Sequence, residues 1–135
     1  VSTVTVTNGS TDYIKNIENI IGGAGNDTIR GDQFNNILNG GTGIDTITFE
    51  NAIAGVNVNL AITTVQNTGN DGQDIITNFE NLIGTNFADT LLGDTNTNII
   101  NGLSGNDVID GNTGNDTLYG GEGDDNLRGG EGDDP

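Results

Sequence analysis

Asp27 and Asp45, Asp107 and Asp125, and Asp116 and Asp134 stand in pairs 18 residues apart, each closing a six-residue stretch that begins with glycine. The whole chain of 135 residues carries 15 Asp and 5 Glu against one Lys and two Arg, a formal net charge of −17. There is no His and no Cys, which removes imidazole and thiolate ligands, the usual general base and any disulfide. Oxygen ligands remain, so the chemistry open to these carboxylates is the binding of a hard cation. Calcium suits them best: it takes about six to eight oxygens in flexible geometry, backbone carbonyls included, whereas magnesium demands a stricter octahedron. Lys15, Arg30 and Arg128 are scattered, so a phosphate backbone or an anionic membrane surface is no partner. No apolar run is long enough to span a membrane.

The elements that position the carboxylates follow from a nine-residue period. Cutting before each leading glycine yields GGAGNDTIR, GDQFNNILN and GGTGIDTIT from residue 22, then GTNFADTLL, GDTNTNIIN, GLSGNDVID, GNTGNDTLY, GGEGDDNLR and GGEGDD from residue 84. Position six is Asp or Asn in every piece. Position eight is always aliphatic: Ile29, Leu38, Ile47, Leu91, Ile100, Ile109, Leu118 and Leu127. Six turn formers and three residues around one aliphatic side chain predict a tight loop and a very short strand. One such side chain cannot stabilise a unit alone, so the units must stack into a ladder. With two units per coil, Asp27 lies over Asp45, and Asp89 over Asp107 over Asp125, on one edge. Asn98 over Asp116 over Asp134 then occupies the opposite edge. Carboxylates at the strand spacing of about 4.8 Å repel by roughly 4 kcal/mol per close pair at an effective dielectric near 20, so the array needs its ion. The competing reading, position six as a mere turn cap, is disfavoured by nine loops in register.

A longer period overlies the first: Asn16–Thr48 aligns with Asn78–Asp110 at an offset of 62. The chain therefore starts in mid-unit and stops in mid-repeat, as a fragment of a longer array would. We expect one continuous domain over 1–135, with repeat blocks at 22–48 and 84–135 and a β-rich insertion at 49–83. Within the insertion, Val56, Val58 and Leu60 alternate with Asn57, Asn59 and Ala61 as in a half-buried strand. GNDGQDIIT, residues 69–77, resumes the nine-residue grammar. Helical spacing is confined to single turns at Asn16–Asn19 and Asn78–Asn81, so almost no helix is expected.

GGAGNDTIR, GLSGNDVID, GNTGNDTLY and GGEGDDNLR resemble the RTX, or haemolysin-type, calcium-binding repeats GGxGxDxUx. The resemblance implies an all-β parallel β-roll, a right-handed β-solenoid, with several Ca²⁺ ions held between stacked loops by position-six carboxylates and loop carbonyls. Carried over by residue, it implies a site between Gly22, Gly23, Ala24, Gly25, Asn26, Asp27 and Gly40, Gly41, Gly43, Asp45. A second lies between Gly102, Ser104, Asn106, Asp107 and Gly120, Gly121, Gly123, Asp124, Asp125. A third joins Gly111, Thr113, Asn115, Asp116 to Gly129, Gly130, Gly132, Asp134. A weaker one joins Asp89 to the 102–107 loop. GTNFAD has Phe87 in place of a turn glycine, and GDQFNN and GDTNTN end in Asn36 and Asn98, with another role open to Asp32 and Asp94. Glu122 and Glu131 are read as solvent-facing, Asp110 as a solvated face residue, and Tyr13 and Tyr119 as packing or surface residues.

The function implied is a calcium-binding module that folds outside the cell within a larger secreted or surface bacterial protein exported by type I secretion. Alternatives are a carbohydrate-binding accessory module of a secreted enzyme or adhesin, with an extracellular polysaccharide as partner, and calcium-dependent self-processing at Asp134-Pro135. No enzyme activity is expected: nucleophile and phosphate-loop motifs are missing, and every well-placed acid is claimed by the periodic sites.

Overall fold

Glycine-rich turns and isolated aliphatic residues favour very short strands, and most have two or three residues, although Asn19–Ala24 and Ile37–Thr42 reach six by running on into their glycine loops. The structure, a computed structural model, describes residues 3–5, 11–12, 17–69 and 71–135; Tyr13 and Asn16 lie outside them. Among the described residues there is no helix, and the strands form three sheets. The first contains, in spatial order, β1 (Thr3–Thr5), β3 (Asn19–Ala24), β5 (Ile37–Thr42), β9 (Gln73–Thr77) and β8 (Gln66–Asn67). The second runs from β2 (Thr11–Asp12) through β4 (Thr28–Ile29), β6 (Thr46–Thr48), β10 (Asn81–Ile83) and β12 (Ile99–Asn101) to β14 (Thr117–Tyr119). The third holds β7 (Asn57–Asn59), β11 (Thr90–Leu92), β13 (Val108–Asp110) and β15 (Asn126–Arg128). All pairings are parallel except β8 with β9.

This is the parallel β-roll. Outside the insertion the chain alternates between the second sheet and the first or third, and within a block equivalent residues pair 18 apart, as in Thr28↔Thr46 and Ile99↔Thr117. Across the insertion Thr46 pairs with Asn81, so a single coil there consumes 35 residues. The second sheet thus contains strands of both blocks.

Position eight points inward as its aliphatic character requires: Ile29, Leu38, Ile47, Leu91, Ile100 and Ile109 are buried. Leu118 packs partly against the same cluster, while Leu127 on the outermost strand is exposed. The insertion adds Phe49, Val56, Val58, Leu60, Ile76 and Phe79 to one shared core. Its antiparallel strand is joined to β7 through a side chain. The buried amide of Gln66 accepts from the Asn59 N–H (2.9 Å) and donates to the Asn59 carbonyl (3.1 Å), standing in for a backbone partner. Asn78–Asn81 makes a bend with positive φ at Asn78 (57°) followed by a strand, rather than a helical turn. Tyr119 is exposed, and Asp110 forms a surface ion pair with Arg128 (3.1 Å).

Candidate metal centre

Because the strands of the second sheet are parallel, every loop entering that sheet lies on one edge of the roll. Those loops are 22–27, 40–45, 78–80, 93–98 and 111–116, with 129–134 stacked on the last. Loops 31–36, 84–89, 102–107 and 120–125 leave the second sheet and lie on the other edge, where 69–74 joins them by stacking on 31–36. Asp27 and Asp45 therefore share their edge with Asp116 and Asp134, not with Asp89, Asp107 and Asp125 as sequence stacking predicted. Loop 84–89 lies two and a half coils beyond loop 22–27, because the insertion spends 35 residues on a single coil. Loops superposed by the long period consequently face opposite ways.

On each edge the position-six side chains form a ladder along the roll. The Asp27 N–H donates to Asp45 Oδ1 (2.7 Å), Asn98 N–H to Asp116 Oδ1 (2.8 Å) and Asp116 N–H to Asp134 Oδ1 (2.8 Å). Across the roll, Asp89 N–H donates to Asp107 Oδ1 (2.8 Å) and Asp107 N–H to Asp125 Oδ1 (3.0 Å). One oxygen of each inner carboxylate is thus used. The other is buried without any partner at Asp45, Asp107 and Asp116, and at Asp27 both oxygens are. A buried, unpaired carboxylate oxygen costs about 1–3 kcal/mol or more. Burial pushes Asp107 and Asp116 above the ordinary carboxylate range, and neighbouring carboxylates, Asp89 and Asp125 for the former and Asp134 for the latter, push the same way.

The orphaned oxygens point into spaces that glycine keeps open. A Cβ on Gly102 would collide with Asp107 Oδ2 and stand 2.7 Å from the carbonyl oxygen of Gly120 in the next loop; at Gly111 it would meet Asp116 Oδ2 and stand 2.6 Å from the Gly129 carbonyl oxygen. Gly22 is placed likewise, between Asp27 Oδ2 and the Gly40 carbonyl. Carboxylate and carbonyl oxygens converge there without a donor between them, which is the donor set of a hard divalent cation. No three acidic side chains converge among the described residues, so each gap would draw on one carboxylate per loop and on carbonyls.

The remaining predicted residues line the loops in other ways. Gly120 and Gly129 abut the carboxylates of Asp125 and Asp134, while Gly41, Gly43, Gly121, Gly123, Gly130 and Gly132 lie on carbonyls of the preceding coil. Gly23 and Ala24 pair with Gly41 and Thr42, Ser104 with Glu122, and Thr113 with Glu131. Asn26, Asn106 and Asn115 turn outward, accepting from the N–H groups of Ile44, Asp124 and Asp133. Asp124, Glu122 and Glu131 are exposed.

The RTX calcium-binding nonapeptide repeat, in four copies, matches residues 16–47, 79–109 and 102–134. The chain belongs to the RTX calcium-binding nonapeptide repeat family. A search of curated proteins finds no match. The RTX loops of this chain divide into two classes. In the departing loops the position-six side chain is satisfied internally: Asn98 Oδ1 accepts from the Asp94 N–H (2.8 Å) and its Nδ2 donates to the Glu80 carbonyl (3.0 Å). Asn36 is held in the same way by the Asp32 N–H and the Ile17 carbonyl. Asp32 and Asp94 have the role the sequence left open, capping their own loops through Phe34 and Asn96. Asp89 is saturated by the Thr85 N–H and hydroxyl and by the Val56 N–H. Asp74 is held by the Asn36 N–H and the Thr68 hydroxyl, with burial raising its pKa to about 6.

Proposed function

We propose that the chain is a structural module held together by calcium, part of a larger secreted bacterial protein, which folds on meeting the ion outside the cell. The observation that carries this reading is the set of buried carboxylate oxygens without partners at Asp27, Asp45, Asp107 and Asp116. Calcium would be held between Gly22–Asp27 and Gly40–Asp45, between Gly102–Asp107 and Gly120–Asp125, and between Gly111–Asp116 and Gly129–Asp134. The bound ion supplies positive charge and a coordination shell for oxygens that would otherwise repel.

The protein supplies the rest. Glycines leave the space, the N–H ladder fixes each carboxylate, and the aliphatic ladder sets the loop spacing. Both blocks act as one continuous roll, a reading supported by the second sheet and the core that they share. A ligand that binds only the folded state drives folding by mass action, so the calcium level of the compartment decides where the module is rigid. Export through type I secretion as an unfolded chain is supported by family membership alone.

The test is far-UV circular dichroism during a calcium titration of the chelated protein, with magnesium as control. Conversion of a coil spectrum to β by calcium alone is the expected result. A β spectrum that is unchanged under strong chelation would refute the proposal.

A further inference from the structure

Three of the four orphaned carboxylates face a partner loop of the nonapeptide kind, and Asp45 does not. The next element along its edge is the bend Asn78–Glu80, three residues between β9 and β10 with no glycine at its start and no Asp at its end. Yet the bend reproduces each feature of the other gaps. The Asp45 N–H donates to Glu80 Oε2 at 2.7 Å, the same distance at which the Asp27 N–H meets Asp45 Oδ1. A Cβ on Gly40 would collide with the Asn78 carbonyl oxygen and lie 2.8 Å from Asp45 Oδ2, just as one on Gly22 would meet the Gly40 carbonyl and Asp27 Oδ2. Asp45 is fully buried, and its Oδ2, aimed into this space beside the Asn78 carbonyl, has no hydrogen-bond partner. The positive φ at Asn78 belongs to this bend. Glutamate, one methylene longer than aspartate, spans the distance that a three-residue bend leaves short of a six-residue loop.

We propose that Glu80 completes an additional divalent-cation site at the seam between the first block and the insertion, with calcium held by the carboxylates of Asp45 and Glu80 and the carbonyl of Asn78. The site rests on the calcium-binding reading above but pairs a nonapeptide carboxylate, Asp45, with Asn78 and Glu80 from outside any nonapeptide. It carries the row of ions across the coil between the two blocks, in which the repeat grammar lapses, so the first block is tied to the rest of the roll by an ion as well as by its strands.

Native mass spectrometry of the calcium-loaded chain counts the ions retained by the wild type, Glu80→Gln and Asp116→Asn. Glutamine keeps an oxygen to accept the Asp45 N–H while removing the charge. Glu80→Gln should retain the β spectrum in saturating calcium and hold one ion fewer than the wild type. An unchanged count in Glu80→Gln, with one ion lost in Asp116→Asn, would overturn the seam site and leave the other sites standing. A wild type that retains no calcium would overturn both readings. If Glu80→Gln does not fold, terbium-loaded crystals of the wild type decide the matter. An anomalous peak between Asp45 and Glu80 supports the site, and its absence alongside peaks in the other gaps refutes it.

Discussion

Asp89 and Asp107 are stacked neighbours on one edge, and replacing each in turn by asparagine separates a carboxylate that needs an ion from one that does not. Asp107 Oδ1 accepts the Asp89 N–H, while its Oδ2 is buried and unpartnered beside the Gly120 carbonyl. In Asp107→Asn the oxygen can still accept that N–H, and the new NH₂ can donate to the Gly120 carbonyl, as Asn98 already donates to Glu80. What is lost is the ion, whose stabilisation grows as RT ln(1 + [Ca²⁺]/Kd): about 2.7 kcal/mol at a hundredfold excess over Kd, and about 1.4 kcal/mol more per further tenfold. Asp89 is saturated instead by three donors, from Thr85 and Val56. Asp89→Asn turns an NH₂ toward at least one of them and forfeits a charge-assisted bond of about 1.5–3 kcal/mol, whatever the calcium level. Urea unfolding at several calcium concentrations, each spaced by about tenfold above Kd, reads both effects. The deficit of Asp107→Asn against the wild type should widen with calcium, and that of Asp89→Asn should stay constant. Equal slopes for the two variants, or a constant deficit for Asp107→Asn, would refute the division of the loops into two classes.

Other perturbations have equally definite outcomes. Asp74 has its pKa raised from 3.8 to about 6 in the fold, chiefly by burial, so its ionised form opposes folding. Its contribution improves as pH falls from above 6 towards 4, by up to about 3 kcal/mol, and Asp74→Asn should remove that component from the pH dependence of urea midpoints. Ile100 is fully buried, and Ile100→Ala should cost about 2–5 kcal/mol in calcium-saturated urea unfolding. The upward shifts of Asp107 and Asp116 make protons competitors for calcium. Calcium affinity should fall on acidification into the range where these carboxylates take up protons, which calcium titrations at a series of pH values would check.

The strands, the inward aliphatic ladder and the three pairs of fully glycine-framed loops could be read from the sequence because each nonapeptide repeats one local instruction. The edges could not be read correctly from the long period, since nothing in the sequence announces that the insertion spends 35 residues on one coil, which leaves the superposed loops half a coil out of phase. Thr85 and Thr68 were invisible as partners of Asp89 and Asp74. Nothing about a threonine in a turn announces that its hydroxyl will satisfy a buried carboxylate. The same is true of Gln66, whose amide replaces a strand's backbone where β8 runs antiparallel. Glu80 was missed because it lies in NFENLI, outside the grammar. The signal that could have found it was a lone acid preceding a strand, one coil beyond Asp45.

The distribution of satisfied and unsatisfied carboxylates gives the roll a division of labour. On the edge that leaves the second sheet, Asn36, Asp74 and Asp89 draw every partner from the protein; Asp74 lies within the insertion, where Phe49, Val56, Val58, Leu60 and Phe79 are buried, and the other two lie on either side of it. Side-chain hydrogen bonds and apolar contact suffice there, because long side chains fill the space that the nonapeptide cannot. Towards either end of the described chain each coil contributes little more than its position-eight aliphatic residue, and there three of the four unpaired carboxylates, Asp27, Asp107 and Asp116, are found, the fourth, Asp45, standing at the seam with the insertion. A unit that buries so little apolar surface cannot offset its conformational entropy through packing alone. The ion is called for where the core is thinnest, so the flanking nonapeptides are the part of the roll that calcium should control most strongly.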